Sequence, residues 1–346
     1  FSYRLPSEGT YTMRLDLRDD SGAPLVAVTR DVVVQDFLIV SLGDSVASGE
    51  GVPDRGGLPP SWQDRQCHRS AWAGPAQSAL EIERADPRTS VTFIHLACSG
   101  ATIDNGVLGP YAGIEPNGTM LQPQIVEMVE RTAGREVDAV TLSIGANDVE
   151  FSNIVLACFI TPDCHEPPTG LAKNVFDQRL ALLPAKFDAL ADQLAASPVD
   201  LPRERLYITE YFDPTRNDAG EFCDDMLKED MPLGLASPAV GISAEEAEWA
   251  STDMLVRLNS AMIAAAERHS WNYLGGLYSR FSHHGYCADD RWIVQLKEST
   301  DNQGNKEGTI HPNVPGHATY AERIAPALQQ HLYVDGDMKR PRAPNA

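Results

Sequence analysis

From residue 37 onward, short apolar runs alternate with longer amphipathic segments. Continuous apolar runs of strand length, bounded by glycine or polar residues, are typical of strands buried on both faces of a parallel sheet. The longer segments repeat apolar residues with the period of an α-helix, which predicts helices that cover the sheet. The predicted strands are 37–42, 91–96, 138–144, 205–211 and 272–274, and the predicted helices are 72–85, 121–132, 175–195, 244–269 and 316–332.

This alternation predicts an α/β fold over residues 37–334, a three-layer α/β/α sandwich with a doubly wound, flavodoxin-like sheet of five parallel strands. The stretches 49–70 and 157–170 are rich in Pro, Gly and Cys. They are predicted to be long ordered loops, which often form the walls of a site. Residues 335–346 are polar and proline-containing, which predicts a flexible tail.

Residues 1–36 follow a different pattern. Alternating apolar residues over 11–17, a turn sequence at 19–22 and a second apolar stretch at 25–34 predict a β-hairpin. Because two or three strands are marginally stable alone, this segment either packs on the following domain or ends a module similar to an immunoglobulin-like or PKD-like domain. The chain starts at Phe1 without Met or a signal-peptide pattern, so we expect a processed or trimmed fragment.

Composition excludes several classes of protein. The 346 residues are 42% hydrophobic and 22% charged, which is typical of a folded soluble protein, and we expect a monomer. No apolar run approaches the roughly 18 residues of a membrane span. The net charge of −21 would repel phosphate backbones and anionic lipid headgroups, which disfavours a nucleic-acid partner.

The cysteines are six in number and form no Cys-x-x-Cys pair. Three disulfides in an oxidising compartment are the first interpretation, and of the 15 possible connectivities pairing in sequence order is the simplest. These pairs are Cys67–Cys98, Cys158–Cys164 and Cys223–Cys287. A zinc site is the alternative, although its spacings match no compact zinc pattern; its ligands would be Cys158, Cys164, His165, His283, His284 and Cys287.

Polar, glycine-bearing sequences follow three of the predicted strands. Ser45 ends Gly43-Asp44-Ser45, Gly100 follows the second strand, and Asn147 follows the third. The carboxyl ends of parallel strands meet at one edge of a sheet, where ligands bind, so Ser45 stands where a nucleophile would. The main-chain N–H groups of Ser45 and Gly100 and the Asn147 amide are suitable donors to an oxyanion.

A base for Ser45 is also required, and His311 lies in a loop just before the last predicted helix. His317, inside that helix, and His95, inside a strand, are interpreted as packing residues. Asp44 and Asp148 are predicted to brace their loops through backbone hydrogen bonds, as Asp does in turns. Individually, each candidate could be a turn, cap or surface residue; their order and placement on strand ends favour a catalytic set.

These residues stand in the order of the four sequence blocks of the SGNH, or GDSL-type, hydrolases, and the chain resembles that family over residues 37–333. The stretches 45–51, 67–70 and 97–101 are similar to its secreted actinobacterial esterase and lipase branch. The resemblance implies an acyl-Ser45 intermediate, His311 as base, and Ser45, Gly100 and Asn147 as oxyanion donors. It also implies three disulfides paired in sequence order.

One position departs from the family pattern, in which an Asp stands three residues before the histidine. That position here is Gly308, which has no side-chain carboxylate. In the similar branch a main-chain carbonyl at this position often orients the histidine, which implies a Ser45/His311 dyad steadied by the Gly308 carbonyl. Glu307 is the competing orienter.

The sequence therefore predicts a secreted serine esterase or lipase that needs no cofactor or metal and acts on small-molecule or lipid esters. A carbohydrate acetylesterase and a phospholipase are alternatives on the same site. Outside enzymes, the alternatives are a silent adhesion or binding module and a zinc scaffold. Trp62, Trp72 and Phe151 are candidate pocket walls, with core packing as the alternative.

Overall fold

The fold is built on a mostly parallel sheet flanked by helices, and a computed structural model describes residues 8–86, 89–167, 170–228, 241–334 and 337–338. The strands pair in the order β3-β2-β4-β5-β6, all parallel, and β1 runs antiparallel to the first half of β2. The predicted flavodoxin-like α/β fold is confirmed. The strands are β1 (Gly9–Arg18), β2 (Pro24–Gly43), β3 (Thr89–His95), β4 (Ala139–Ser143), β5 (Leu206–Thr209), β6 (Asn272–Leu274), β7 (Tyr333–Val334) and β8 (Asp337–Met338).

The helices pack in two groups, α2 with α10 and α5 with α7, and both groups contact the sheet. A 3₁₀ turn over Arg203–Arg205 precedes β5, and the chain from α6 to α7 is continuous through a π-helical segment, Ala250–Leu255. The helices are α1 (Ser45–Ser48), α2 (Gly74–Ala85), α3 (Gln124–Thr132), α4 (Phe151–Ile160), α5 (Leu171–Ala196), α6 (Ala244–Trp249), α7 (Val256–His269), α8 (Leu277–Arg280), α9 (Leu296–Gln303) and α10 (Val314–Leu332).

The central strand, β2, crosses the boundary that the sequence predicts at residue 37. Its first half pairs with β1 and is exposed, whereas residues 37–43 are almost completely buried between β3 and β4. β1 and the first half of β2 thus form an antiparallel pair, and β2 continues without a break into the sheet. Residues 1–7 of this segment lie outside the described residues, as do 335–336 and 339–346 of the predicted tail.

The ends of β2 and β4 approach each other closely at the edge where the predicted site lies. Gly43 pairs with Ser143, and a Cβ on Gly43 would lie 2.0 Å from the Ser143 main-chain oxygen, so only glycine fits. The Gln124 side chain holds this strand end by accepting from the Gly43 N–H at 2.7 Å and donating to its oxygen at 2.8 Å. The carboxyl edge of the sheet is therefore fixed at the residue just before Asp44.

All six cysteines lie in disulfides, paired in sequence order as predicted: Cys67–Cys98, Cys158–Cys164 and Cys223–Cys287. The pairing uses every thiol that the zinc alternative requires. Cys158, Cys164 and Glu246 lie close together, but both sulfurs are bonded to each other. Among the described helices, none has the length and apolar character that crossing a membrane demands.

Candidate active site

Ser45 occupies the first position of a one-turn helix directly after the central strand. The Asp44 carboxylate caps this helix by accepting from the Val46 N–H at 3.1 Å. Gly49 ends the helix in the left-handed conformation, with φ of 91°. The serine hydroxyl is thereby presented at the carboxyl edge of the sheet, as the sequence predicts.

His311 lies beside Ser45, although 266 positions separate them in the chain: its Nε2 is 2.7 Å from the Ser45 Oγ. The loop that carries it is hydrogen-bonded on both sides to Val294, which accepts from the Ile310 N–H at 2.9 Å and donates to the His311 oxygen at 2.8 Å. Ile310 has a φ of +65°, a strained conformation for a β-branched residue. The imidazole is therefore held by a rigid, strained turn.

The carbonyl that faces His311 Nδ1 is that of Thr309, at 3.2 Å. The predicted orienter, the Gly308 carbonyl, instead accepts from the main-chain N–H of His311 at 3.1 Å. This corrects the sequence prediction, because the left-handed turn at Ile310 directs the carbonyl two residues before the histidine, rather than three, toward its ring. Among the described residues, Glu307 makes no side-chain hydrogen bond to His311.

These contacts define how the imidazole is protonated. A carbonyl oxygen only accepts, so in neutral His311 the proton resides on Nδ1 and Nε2 is left to accept from the Ser45 hydroxyl. Burial lowers the pKa of His311 below its ordinary 6.5, against the opposing effects of Glu50 and Glu307. The ring is therefore neutral at neutral pH and is able to take a proton from Ser45.

Gly100 and Asn147 line the same cavity as Ser45 and His311. Within the described part of the chain, no group accepts a hydrogen bond from the main-chain N–H of Ser45 or of Gly100. The Asn147 side chain donates one of its two amide hydrogens to the Ala101 oxygen at 2.9 Å, which fixes its orientation. Gly100 has a φ of 80°, and a Cβ there would lie 2.3 Å from the Tyr111 hydroxyl. The four residues together place a hydroxyl, a neutral imidazole and hydrogen-bond donors at one cavity.

The two aspartates brace these loops, as the sequence predicts. Burial raises the pKa of Asp44 to about 7, while it accepts from Val46 and from the Tyr211 hydroxyl. Asp148 accepts from the Ile103 N–H at 3.0 Å and from Lys186 at 2.7 Å, and so ties the Asn147 loop to the loop that follows Gly100. Neither carboxylate forms a hydrogen bond with His311 in the described structure.

The other histidines near the site serve as packing residues, as the sequence predicts. Burial lowers the pKa of His317 to about 3, and its Nδ1 accepts from the Gly74 N–H at 3.3 Å. Burial lowers the pKa of His95 to about 4, and its Nε2 donates to the Ala47 oxygen at 2.9 Å. Both rings stay neutral over the ordinary pH range.

Glu50 is a buried carboxylate beside the site that the sequence analysis leaves without a role. It binds His68 Nδ1 at 2.8 Å, the Gln303 amide at 2.7 Å and the Ser99 hydroxyl. His68 Nε2 faces Glu115 at 3.1 Å. Burial alone would lower the pKa of His68, but the two carboxylates raise it, and the protonated ring can donate to one carboxylate from each nitrogen. Glu50 thus joins the loop of Ser99 and Gly100 to the end of α9, which precedes His311 in the chain.

The cavity at Ser45 has a volume of about 270 Å³ and mainly apolar walls. One face of α4 supplies Phe151, Val155 and Phe159, at the spacing of successive helical turns. Of the predicted walls, Phe151 is confirmed, whereas Trp62 stacks on His68 and Trp72 is absent from the described lining. The other apolar lining residues include Phe212, Pro214, Leu227, Leu255, Leu258, Leu296 and Ile310.

A sequence model of the GDSL-like lipase/acylhydrolase family matches residues 41–319, which is most of the chain. The protein belongs to this family. No curated protein sequence is detectably similar to the chain. The membership of the GDSL-like family supports a hydrolase, of the class that contains esterases, lipases and acylhydrolases.

Several solved structures align with most of this chain. An extracellular lipase from Streptomyces rimosus aligns with a TM-score of 0.54 and 20% identity, over 85% of this chain and 99% of the lipase. An acetyl xylan esterase from Geobacillus stearothermophilus aligns with a TM-score of 0.41 and 12% identity, over 89% and 99% of the two chains. A lipase/acylhydrolase from Enterococcus faecalis aligns equally well, with a TM-score of 0.41 and 12% identity, over 89% of this chain and 100% of that one.

Proposed function

We propose that the protein is a secreted serine esterase that hydrolyses carboxylic esters with an apolar acyl chain through an acyl-Ser45 intermediate. The observation that carries this proposal is the 2.7 Å contact between Ser45 Oγ and His311 Nε2 at an apolar cavity. The catalytic unit would be residues 37–334. Three disulfides support an oxidising, extracellular location.

In the proposed first half-reaction, Ser45 Oγ attacks the ester carbonyl carbon while His311 Nε2 takes the hydroxyl proton. The carbonyl oxygen gains negative charge and accepts from the Ser45 and Gly100 N–H groups and the Asn147 amide. The bond from carbon to the leaving oxygen then breaks, and His311 returns its proton to that oxygen. The alcohol leaves, and the acyl group remains on Ser45.

In the second half-reaction, water replaces the alcohol. His311 takes a proton from the water as its oxygen attacks the acyl carbon, and the same donors bind the oxyanion. The bond to Ser45 Oγ breaks, and His311 gives the proton back to the serine. The carboxylic acid is released, and no step requires a metal or cofactor.

The apolar walls favour an acyl chain over an acetyl group as the substrate's acid portion. Phe151, Val155 and Phe159 offer no hydrogen bonds, whereas burial of each methylene of an alkyl chain is worth about 0.8 kcal/mol. The lined volume of about 270 Å³ is large for an acetyl group alone. We therefore expect the rate to rise from acetyl to longer acyl esters.

The test is hydrolysis of chromogenic acyl esters of increasing chain length, without reducing agent, by the wild type, Ser45→Ala and Ser260→Ala. Ser260 is an exposed serine on α7 and serves as the matched control. We expect turnover by the wild type and Ser260→Ala and none by Ser45→Ala. Turnover by Ser45→Ala would contradict the mechanism. If the wild type hydrolyses none of these esters, acetylated sugars or phospholipids, the result would favour the alternative of a catalytically silent binding module.

A further inference from the structure

One buried hydroxyl links the two loops that carry the proposed nucleophile and the side-chain oxyanion donor. Tyr211 Oη donates to Asp44 Oδ2 at 2.5 Å and accepts from the main-chain N–H of Ala146 at 3.1 Å. Asp44 directly precedes Ser45, and Ala146 directly precedes Asn147. The phenol thus contacts both chain segments one residue before their functional groups.

Tyr211 is itself held in place by a separate element. It follows β5 and is 4% exposed. The side chain of Asn259, on α7, accepts from the Tyr211 N–H at 3.0 Å and donates to the Tyr211 oxygen at 3.0 Å. This pair of bonds fixes the main chain of Tyr211, so its hydroxyl has a defined position.

Tyr211 keeps the proton that it donates to Asp44. Burial and the nearby Asp44 carboxylate raise the pKa of Tyr211 well above its ordinary value, so the phenol keeps its proton. Its single O–H is used on Asp44, and a lone pair remains for the Ala146 N–H.

We propose that Tyr211 is a positioning residue that sets the distance between Ser45 and Asn147 in the acyl-transfer reaction. The inference rests on the proposed function. Donors to an oxyanion act only within a narrow distance of it, and a displacement of about 1 Å costs up to about 10²-fold in rate. Loss of the hydroxyl removes the contact of each loop with Tyr211 just before its functional residue, while the main-chain bond from the Asp44 N–H to the Ser143 oxygen remains at 2.8 Å.

The first experiment measures kcat and KM for Tyr211→Phe beside Tyr207→Phe. Tyr207 is a matched control: it is buried on β5, its hydroxyl binds His331, and it lines no part of the described cavity. We expect kcat to fall about 10- to 100-fold in Tyr211→Phe with KM changed less than about twofold. Tyr207→Phe should keep kcat within about twofold, on the same scale. Equal kcat in the two variants would overturn the proposal.

The second experiment combines Tyr211→Phe with Asn147→Ala. If Tyr211 acts partly by holding Asn147, its loss matters less once the amide is gone, so the combined loss in kcat should be smaller than the product of the single losses. A combined loss in kcat equal to the product of the two single losses would overturn the link to Asn147. If the wild type turns over no ester, the proposed function is wrong. If the wild type is active and Tyr211→Phe is equally active, only this inference is wrong.

A second variant tests the link even if Tyr211→Phe does not fold. The Asp44 carboxylate accepts from Val46 with one oxygen and from Tyr211 with the other. Asn at this position could still donate from its amide to the Tyr211 oxygen, whereas Ala offers neither an acceptor nor a donor. Asp44→Ala should therefore show the same loss in kcat at nearly unchanged KM, and unimpaired kcat would contradict the role of the link.

Discussion

The ring Nδ1 of His311 faces the main-chain oxygen of Thr309 at 3.2 Å, in the place where a triad carboxylate would otherwise accept. A carbonyl fixes the tautomer and the orientation of the ring as a carboxylate does, but it carries no full charge with which to stabilise the imidazolium. The sequence has Gly308 where the family pattern places Asp. In this site the backbone therefore holds the His311 ring in the place of a carboxylate.

The first prediction concerns Glu307, the nearest carboxylate in sequence to His311. Because Thr309 occupies Nδ1, Glu307→Gln should lower kcat less than about threefold, in contrast to the roughly 10⁴-fold loss seen when a triad carboxylate is replaced. Steady-state kinetics on the preferred ester measure this. Asn147→Ala is the positive control, with an expected loss of about 10²- to 10³-fold. A loss in kcat near 10⁴-fold in Glu307→Gln would instead show that the Glu307 carboxylate orients the His311 ring.

The second prediction concerns pH. Burial lowers the pKa of His311 below 6.5, and the base acts only when neutral. We therefore expect kcat/KM to decline tenfold per pH unit on the acid side, with the midpoint of this limb below pH 6.5. The Asn147→Ala variant should show a lower plateau with the same acid limb. A limb at or above pH 6.5, or a flat profile down to pH 4, would contradict the assignment of His311.

Most of the sheet could be predicted because its strands are buried on both faces. Such strands read as continuous apolar runs, and the prediction for 138–144 contains β4, all five residues of which are buried. The break predicted at residue 37 was wrong because the pattern changes there for another reason: β2 passes from an exposed hairpin into the sheet without ending. A hydrophobic pattern reports burial, and burial changes within this strand.

Helix α4 escaped prediction for a similar reason. Apart from Ser152 and Asn153 its sequence is apolar. One face lines the cavity, Ile154 and Cys158 pack into the core, and Leu156 and Ile160 are apolar although they are exposed, so no helical period is visible. The Thr309 carbonyl could not be predicted either. Its direction depends on the positive φ of Ile310, a conformation that a β-branched residue rarely adopts and that only tertiary contacts enforce.

The third prediction concerns the ion pair of Glu50 and His68, whose side chains are 1% and 0% exposed. Removing one partner of a buried pair leaves an uncompensated charge, so Glu50→Gln should lower the free energy of unfolding by about 3–5 kcal/mol. Urea unfolding at pH 5.5 measures this. Glu322→Gln, which removes an exposed pair with Arg280, is the control and should cost about 0–1 kcal/mol. Equal losses would show that the buried pair contributes nothing special.

The pH dependence of this pair follows from its two pKa shifts. Burial would raise the pKa of Glu50, but His68 outweighs it and leaves it below 4.5, so this contribution is present above pH 4.5 and is lost as pH falls through the lowered value. The pKa of His68 is raised above 6.5, so its contribution is present below pH 6.5 and is lost as pH rises through the raised value. The difference between wild type and Glu50→Gln should be largest between pH 4.5 and 6.5.

The fourth prediction concerns acyl-chain length. Val155 lies between Phe151 and Phe159 on the face of α4 that lines the cavity, so Val155→Phe would fill space that an acyl chain needs. Because each excluded methylene is worth about 1–3 kcal/mol of discrimination, the ratio of kcat/KM for an octanoyl over an acetyl ester should fall at least about tenfold. Asn153→Phe, on the exposed side of the same helix, is the control and should leave the ratio unchanged. An unchanged ratio in Val155→Phe would mean that the acyl chain binds elsewhere, and the apolar cavity would then have to hold the alcohol portion of the ester.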